Sequence, residues 1–277
     1  MKKLCFFLAL ALLLSGCTAP TGDASPAPTG SLKMAEPSDA SSPAPTATPE
    51  KLWWEDKTAA DLPTEVEPAG NISSVDGPVC LALLPEADVG LYGDGDPTAG
   101  VLLRKGDYVQ FFPQTYATAR YTLPELSWAD VDGDGESELA VKYLVEDTDG
   151  DIVYELHFYE WDGKAWTDHP FTQAEFGPLL EGLVSYRYED GYVTLTAGDS
   201  TDRLWYDGDA EPQGLAPIGN LVFFRPQGDG YAVIFGLRLE LAGRGPVFDV
   251  ATLTARLRYD GGRFTLSDYV LETVGGV

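Results

Sequence analysis

Cysteine is nearly missing from this chain: three in 277 residues, at positions 5, 17 and 80. Cys5 lies in an N-terminal apolar leader and Cys17 directly at its end, so Cys80 is the one cysteine in the rest of the sequence. A lone thiol excludes both an intramolecular disulfide and a thiolate zinc centre. Cys80 lies in the apolar run Val79-Cys80-Leu81-Ala82-Leu83-Leu84 and reads as a buried, inert strand residue. Histidine is scarcer still. The side chain most used for general acid–base work occurs only as His157 and His169. His157 stands mid-strand beside Glu155 and reads as a packed sheet residue rather than a base. Gly198-Asp199-Ser200 lacks the following helix and the histidine that a serine nucleophile needs. No glycine-rich phosphate loop is present. Basic residues are also few, 18 against 44 acidic ones, for a formal net charge of −26. Nucleic acid and anionic lipid surfaces repel such a chain, so neither is expected as a partner.

What is present begins with an address. Lys2 and Lys3 precede the apolar stretch Leu4 to Leu14, which is too short to span a bilayer and reads as a secretory signal. The stretch ends in Leu14-Ser15-Gly16-Cys17, which resembles a bacterial lipobox. That resemblance implies a signal peptide over 1–16, cleavage before Cys17, and conversion of its thiol to a diacylglyceryl thioether. The protein is then extracytoplasmic and held to the cell membrane by a lipid anchor. A second acyl chain, palmitate or similar, makes such anchoring stable where one chain does not. Residues 17–64 follow as a tether rich in Pro, Ala, Ser and Thr, as in Ser42-Pro43-Ala44-Pro45-Thr46-Ala47-Thr48-Pro49. This composition cannot bury a core. In polyproline form, at about 3.1 Å per residue, its Pro-rich part reaches up to about 100 Å. Trp53-Trp54, near its end, either docks on the following domain or forms an exposed contact patch.

From residue 65 to 277 the pattern is β. Val79 to Leu84, Gly100 to Arg104, Tyr108 to Phe112 and Leu139 to Val145 are short β-type runs. Ile152 to Trp161 alternates, with Val153, Glu155, His157, Tyr159 and Trp161 on one face and Ile152, Tyr154, Leu156 and Phe158 on the other. Asp-Gly dipeptides such as Asp190-Gly191 suit type I′ hairpin turns. One helix is predicted over Thr172 to Val184, with Thr172 and Glu175 as a capping box and Phe176, Leu179, Leu180 and Leu183 as its apolar stripe. Leu221 to Arg225, Tyr231 to Leu241, Phe248 to Tyr259 and Phe264 to Leu271 read as a long C-terminal meander. The expected fold is mainly β: packed antiparallel sheets with that meander and one short helix. A partial β-propeller-like arrangement is the alternative.

The densest acidic stretch is Asp130-Val131-Asp132-Gly133-Asp134-Gly135-Glu136-Ser137-Glu138, which runs straight into Leu139-Ala140-Val141. Aspartates at alternate positions repel one another, and a bound cation removes that cost. A hard divalent ion such as Ca2+ takes six to eight oxygens at roughly 2.3–2.6 Å. An EF-hand places a bidentate acid twelfth and flanks its loop with helices. Here the twelfth position is Val141 and a strand follows. The segment resembles instead the loop of FG-GAP and VCBS-type repeats, in a single copy. The resemblance implies Asp130, Asp132, Asp134, Glu136 through its carbonyl, and Glu138 as Ca2+ ligands. The alternative is an acidic hairpin turn without an ion. Asp147-Thr148-Asp149-Gly150-Asp151 repeats the spacing, but Ile152 replaces the turn glycine, and it reads as a hairpin turn.

Tyr159, Trp161 and Trp166 flank Asp162-Gly163-Lys164-Ala165, and such rings either stack on a sugar or pack across strands. Two functions therefore stand. The first is a membrane-anchored binding or interaction module for an unknown protein or glycan ligand, with a structural calcium loop. The second is a cell-surface glycan hydrolase with paired carboxylates about 5–10 Å apart. No carboxylate pair stands out among 44 acids, which argues against an enzyme.

Overall fold

The computed structural model describes residues 52–274 apart from 149, 207, 216–219, 229 and 244, with the backbone alone for 245–248. The chain divides into two units, Met1–Pro49 and Glu50–Val277. The leader, the lipobox cysteine and most of the expected tether lie outside the described residues. No helix among those described is long and apolar enough to cross a membrane.

The second unit opens with a four-stranded antiparallel sheet, β1 (Val79–Leu84), β2 (Val89–Gly93), β3 (Val101–Lys105) and β4 (Tyr108–Phe112), in sequential order. β5 (Glu125–Ala129), β6 (Glu138–Thr148), β7 (Asp151–Trp161) and β8 (Trp166–Phe171) follow as antiparallel neighbours. After α1 (Gln173–Leu180), three strands form their own sheet: β9 (Val184–Glu189), β10 (Tyr192–Ala197) and β11 (Ser200–Trp205). The chain closes with β12 (Pro212–Leu215), β13 (Leu221–Gln227), β14 (Gly230–Leu241), β15 (Gly245–Asp260) and β16 (Arg263–Thr273). The largest sheet runs β16-β15-β14-β13-β7-β6-β5, with β12 on β14 and β8 on β7. Its β13–β7 contact is parallel. Among the described residues the fold is mainly β with packed antiparallel sheets and one α-helix, and no closed barrel or propeller forms.

Strand periodicity places β6 and β7 between two cores. Alternate side chains of a strand point to opposite faces. Leu156 and Phe158 of β7 and Ala140 of β6 join the core shared with α1, β10 and the C-terminal meander. Leu139, Val141, Tyr143 and Tyr159 join the core shared with the four-stranded sheet. In β14, Tyr231, Val233, Phe235, Leu237, Leu239 and Leu241 are all buried, the face that their alternation marks out.

Turn and cap chemistry follows local rules. Asp190 and Gly191 both have positive φ, 51° and 78°, as a type I′ turn between β9 and β10 requires. A Cβ on Gly191 would sit 2.6 Å from the Trp205 ring. At the start of α1, Ala174 N–H donates to Thr172 Oγ1 at 3.3 Å, and Thr172 N–H donates to Glu175 Oε2 at 3.0 Å. Thr172→Ala is expected to cost about 1 kcal/mol, measured by urea unfolding, because it frees one helix-terminal donor. The helix is shorter than its apolar stripe suggests. It ends at Leu180, Glu181 is already extended, Gly182 turns with φ 72°, and Val184 begins a strand. Leu179 accordingly lies on the exposed side.

Of the two alternatives for Trp53-Trp54, near the end of the expected tether, the contacts show docking on the following domain. Trp53 Nε1 donates to the Ala99 carbonyl at 3.1 Å, and Trp54 stacks on Phe111 with centroids 4.3 Å apart. Aromatic burial thus overrides the polar composition around it.

Candidate metal centre

β5 and β6 pair up to Ala129 and Glu138, and the acidic stretch 130–137 closes the hairpin between them. The loop folds on its own backbone. Gly133 N–H donates to Asp130 Oδ1 at 2.7 Å and Gly135 N–H to Asp130 Oδ2 at 3.1 Å. Asp134 N–H donates to Asp132 Oδ1 at 3.1 Å, and Glu136 N–H to Asp134 Oδ1 at 2.7 Å. Gly133 and Gly135 take φ of 84° and 95°, a region costly for side chains with a Cβ. The alternate glycines let the alternate carboxylates turn inward.

Glu138 occupies the first position of β6, on the face it shares with buried Ala140. Its carboxylate turns back into the loop, where Oε2 accepts Val131 N–H at 2.7 Å, and the residue is only 3% exposed. Burial pushes its pKa up; the Val131 bond opposes this, and the charges of Asp132, Asp134 and Asp130 add to the rise. One side-chain oxygen each from Asp130, Asp132 and Glu138 lies within 4.8 Å of the others. Two oxygens bound to one ion at about 2.4 Å lie no more than about 4.8 Å apart, so these three fit a shared Ca2+. Asp134 and Glu136 fall outside this side-chain cluster. Asp134 is engaged by the Glu136 N–H, and Glu136 enters the expected set only through its carbonyl. Among the described residues no Lys or Arg pairs with Asp130, Asp132 or Glu138.

A neighbour that sequence reasoning missed is Glu160. It lines a cavity of about 160 Å³ together with Asp134, Glu136, Glu138 and Trp161, and it accepts a hydrogen bond from the Tyr259 hydroxyl. Only the pairing of β7 beside β6 brings it there. That cavity is smaller than the roughly 300 Å³ at which ligand clefts begin. The second acidic stretch is a hairpin turn, with Thr148 opposite Asp151. Asp151 is taken by Arg238, Nη1 to Oδ1 at 2.8 Å.

The remaining candidates are structural. Trp166 and Tyr159 are buried, and Trp161 packs on Trp166 at 5.1 Å, so those rings pack across strands. Trp205, 47% exposed and edge-on to Tyr192 at 4.9 Å, and Tyr188, 37% exposed, are rings open to solvent on the three-stranded sheet. Ser200 Oγ accepts Leu271 N–H at 2.9 Å. Burial raises the Cys80 thiol to about 12, which keeps it unreactive at neutral pH.

His157 is 2% exposed and joins two layers. Its Nδ1 lies 2.9 Å from Asp168 Oδ1 on β8, and Gln114 Nε2, in the segment after β4, donates to Asp168 Oδ2 at 2.8 Å. Glu155 Oε2 stands 3.8 Å from Nε2. Burial disfavours the charged ring, but Asp168 and Glu155 outweigh it and the pKa is raised. A raised folded pKa contributes stability that is complete below the unfolded value of about 6.5 and is lost as pH rises through the folded value. The melting-temperature difference between wild type and His157→Gln should therefore be larger at acid than at alkaline pH. A pH-independent difference would show that the ring stays neutral.

No family model, curated protein or solved structure matches the chain.

Proposed function

We propose that this is an extracytoplasmic lipoprotein anchored through Cys17, whose β domain is stabilised by one Ca2+ and serves as a binding module for a protein or glycan. The observation that carries the calcium reading is the Glu138 carboxylate, buried and turned into the loop where Asp130 and Asp132 converge, with no Lys or Arg among the described residues in an ion pair with them. Burying a carboxylate among like charges is unfavourable unless a cation compensates. The donor set is all oxygen, which suits a hard ion over zinc or copper. The likeness of 130–138 to FG-GAP and VCBS-type loops supports Ca2+ over Mg2+. The ion's part is structural: it holds the turn that sets the register of β5 on β6.

Titration calorimetry with CaCl2 tests the ion. One site is expected, with Mg2+ weaker, because Mg2+ demands near-octahedral geometry and sheds water reluctantly. Heat-silent addition of CaCl2, with no competition against a chelating dye, would remove the metal from this reading. Mass spectrometry of membrane-extracted protein tests the anchor, and an N-terminal peptide beginning at an acylated Cys17 is expected. An unmodified Cys17 would remove the anchor. Crosslinking on intact cells would then identify the ligand as protein or glycan.

A further inference from the structure

The chain carries 44 acidic residues against 18 basic ones, so a guanidinium left without a carboxylate partner is conspicuous. Arg104 pairs with Asp88, Arg187 with Glu189, and Arg238 with Asp151 and Asp249. Arg120 donates to the Glu67 carbonyl, and Arg203 lies over the Tyr192 ring. Arg225 on β13, Arg258 on β15 and Arg263 on β16 differ: among the described residues none of them has an ion-pair, hydrogen-bond or ring partner, and only the last two lie together.

The pairing register places them together. Arg258 faces Thr265 and Asp260 faces Arg263, so all four side chains project from the same side of the hairpin. That side is the one opposite Leu257 and Tyr259, which are buried in the core. Both arginines line a cavity of about 410 Å³, together with Arg256, Asp260, and Val131 and Asp132 of the acidic loop. Such a volume lies within the roughly 300–1,000 Å³ of small-molecule sites. Two neighbouring guanidinium forks present donors in the geometry that planar and tetrahedral oxyanions accept. Like charges on adjacent strands repel, and although Asp260 and Asp132 share the cavity, among the described residues no carboxylate forms an ion pair with either guanidinium.

We infer that this cavity binds the phosphate group of a small phosphorylated solute, with Arg258 and Arg263 as its cationic clamp. Phosphate suits the site better than carboxylate, since it brings close to two charges and three acceptor oxygens to two cations. A small solute suits it better than a polyanion, because the rest of the surface is acidic and repels long anionic chains. The cavity exceeds one phosphate in size, so an ester should outbind the free ion. The inference does not depend on the calcium reading.

Calorimetry on the full chain tests it, with glycerol 3-phosphate, inorganic phosphate, acetate and glycerol as probes. Each probe compatible with Ca2+ is run with CaCl2 present, and all are run after calcium and chelator have been removed. Glycerol 3-phosphate should bind, inorganic phosphate more weakly, and acetate and glycerol not at all. Arg258→Gln and Arg263→Gln should each weaken glycerol 3-phosphate about tenfold or more, while Arg187→Gln, on the three-stranded sheet, should leave it unchanged. Both arginines are exposed, so the variants should fold, and circular dichroism checks this. No binding up to about 10 mM ester in either condition would overturn the assignment. So would equal binding by the two arginine variants, or equal affinity for acetate. Tighter binding of inorganic phosphate than of the ester would keep the clamp and reassign its ligand to the free ion.

Discussion

In saturating calcium the wild-type chain should melt about 5–11 °C higher than in chelator, and Asp132→Asn and Glu138→Gln should remove that difference. The size follows from linkage. Free Ca2+ at 100 times the dissociation constant adds about 2.7 kcal/mol to a site absent from the unfolded chain. For a domain of this size each kcal/mol moves the midpoint by about 2–4 °C. The variants also separate ion binding from loop architecture. Glu138→Gln keeps an oxygen able to accept Val131 N–H, and Asp132→Asn keeps one for Asp134 N–H. In chelator both should match or exceed the wild type, because each removes one charge from a crowded set. In calcium both should fall below it. An unchanged wild-type midpoint, or variants that keep the full calcium shift, would leave the loop as an acidic turn.

Phe158→Ala should cost about 3–5 kcal/mol, the range for emptying a fully buried aromatic site. Phe158 has no exposed surface, stacks on Tyr259 at 4.7 Å and 15°, and meets Tyr231 and Phe264 at 5.8 and 6.0 Å. Those partners belong to β14, β15 and β16, whereas Phe158 lies on β7, so truncation unfastens the meander from the central strands. Against a typical total of about 5–15 kcal/mol, the loss leaves a marginal fold. Urea denaturation should show a lower midpoint with an unchanged slope. Phe223→Ala is the contrasting case. Its ring is 37% exposed beside Lys142 Nζ at 4.9 Å and Tyr154 at 5.1 Å, and a loss of about 1 kcal/mol is expected. Equal costs at the two sites would refute the claim that β7 is pinned through Phe158.

Features set by consecutive residues were legible. The period of two in Ile152–Trp161 and Tyr231–Leu241 placed their core faces, because a strand turns each side chain opposite its neighbour whatever lies beyond it. The capping box of Thr172 and Glu175 marked the start of α1, since both bonds form within one turn. Its end was misread, because the apolar stripe continues into Leu183 after Gly182 has left the helix. For Trp53 and Trp54 composition leaves docking and an exposed patch both open, and the structure shows docking. Their partners, Ala99 and Phe111, are more than forty residues away.

By itself, then, the sequence determined the longer strands, several hairpin turns, the helix cap and the acidic loop with its alternating carboxylates, all of which obey rules spanning a few residues, whereas β2, β5, β8, β11 and β12 carry too weak a pattern to be read locally. Tertiary structure alone decided which acids converge, that Glu160 joins them from the next strand, and that Asp168 reaches His157. It also decided that Arg258 and Arg263, without an ion-pair partner among the described residues, share a cavity with Asp132. Those outcomes depend on which strands become neighbours, and the pairing of distant strands is chosen by how their faces bury together rather than by any local pattern.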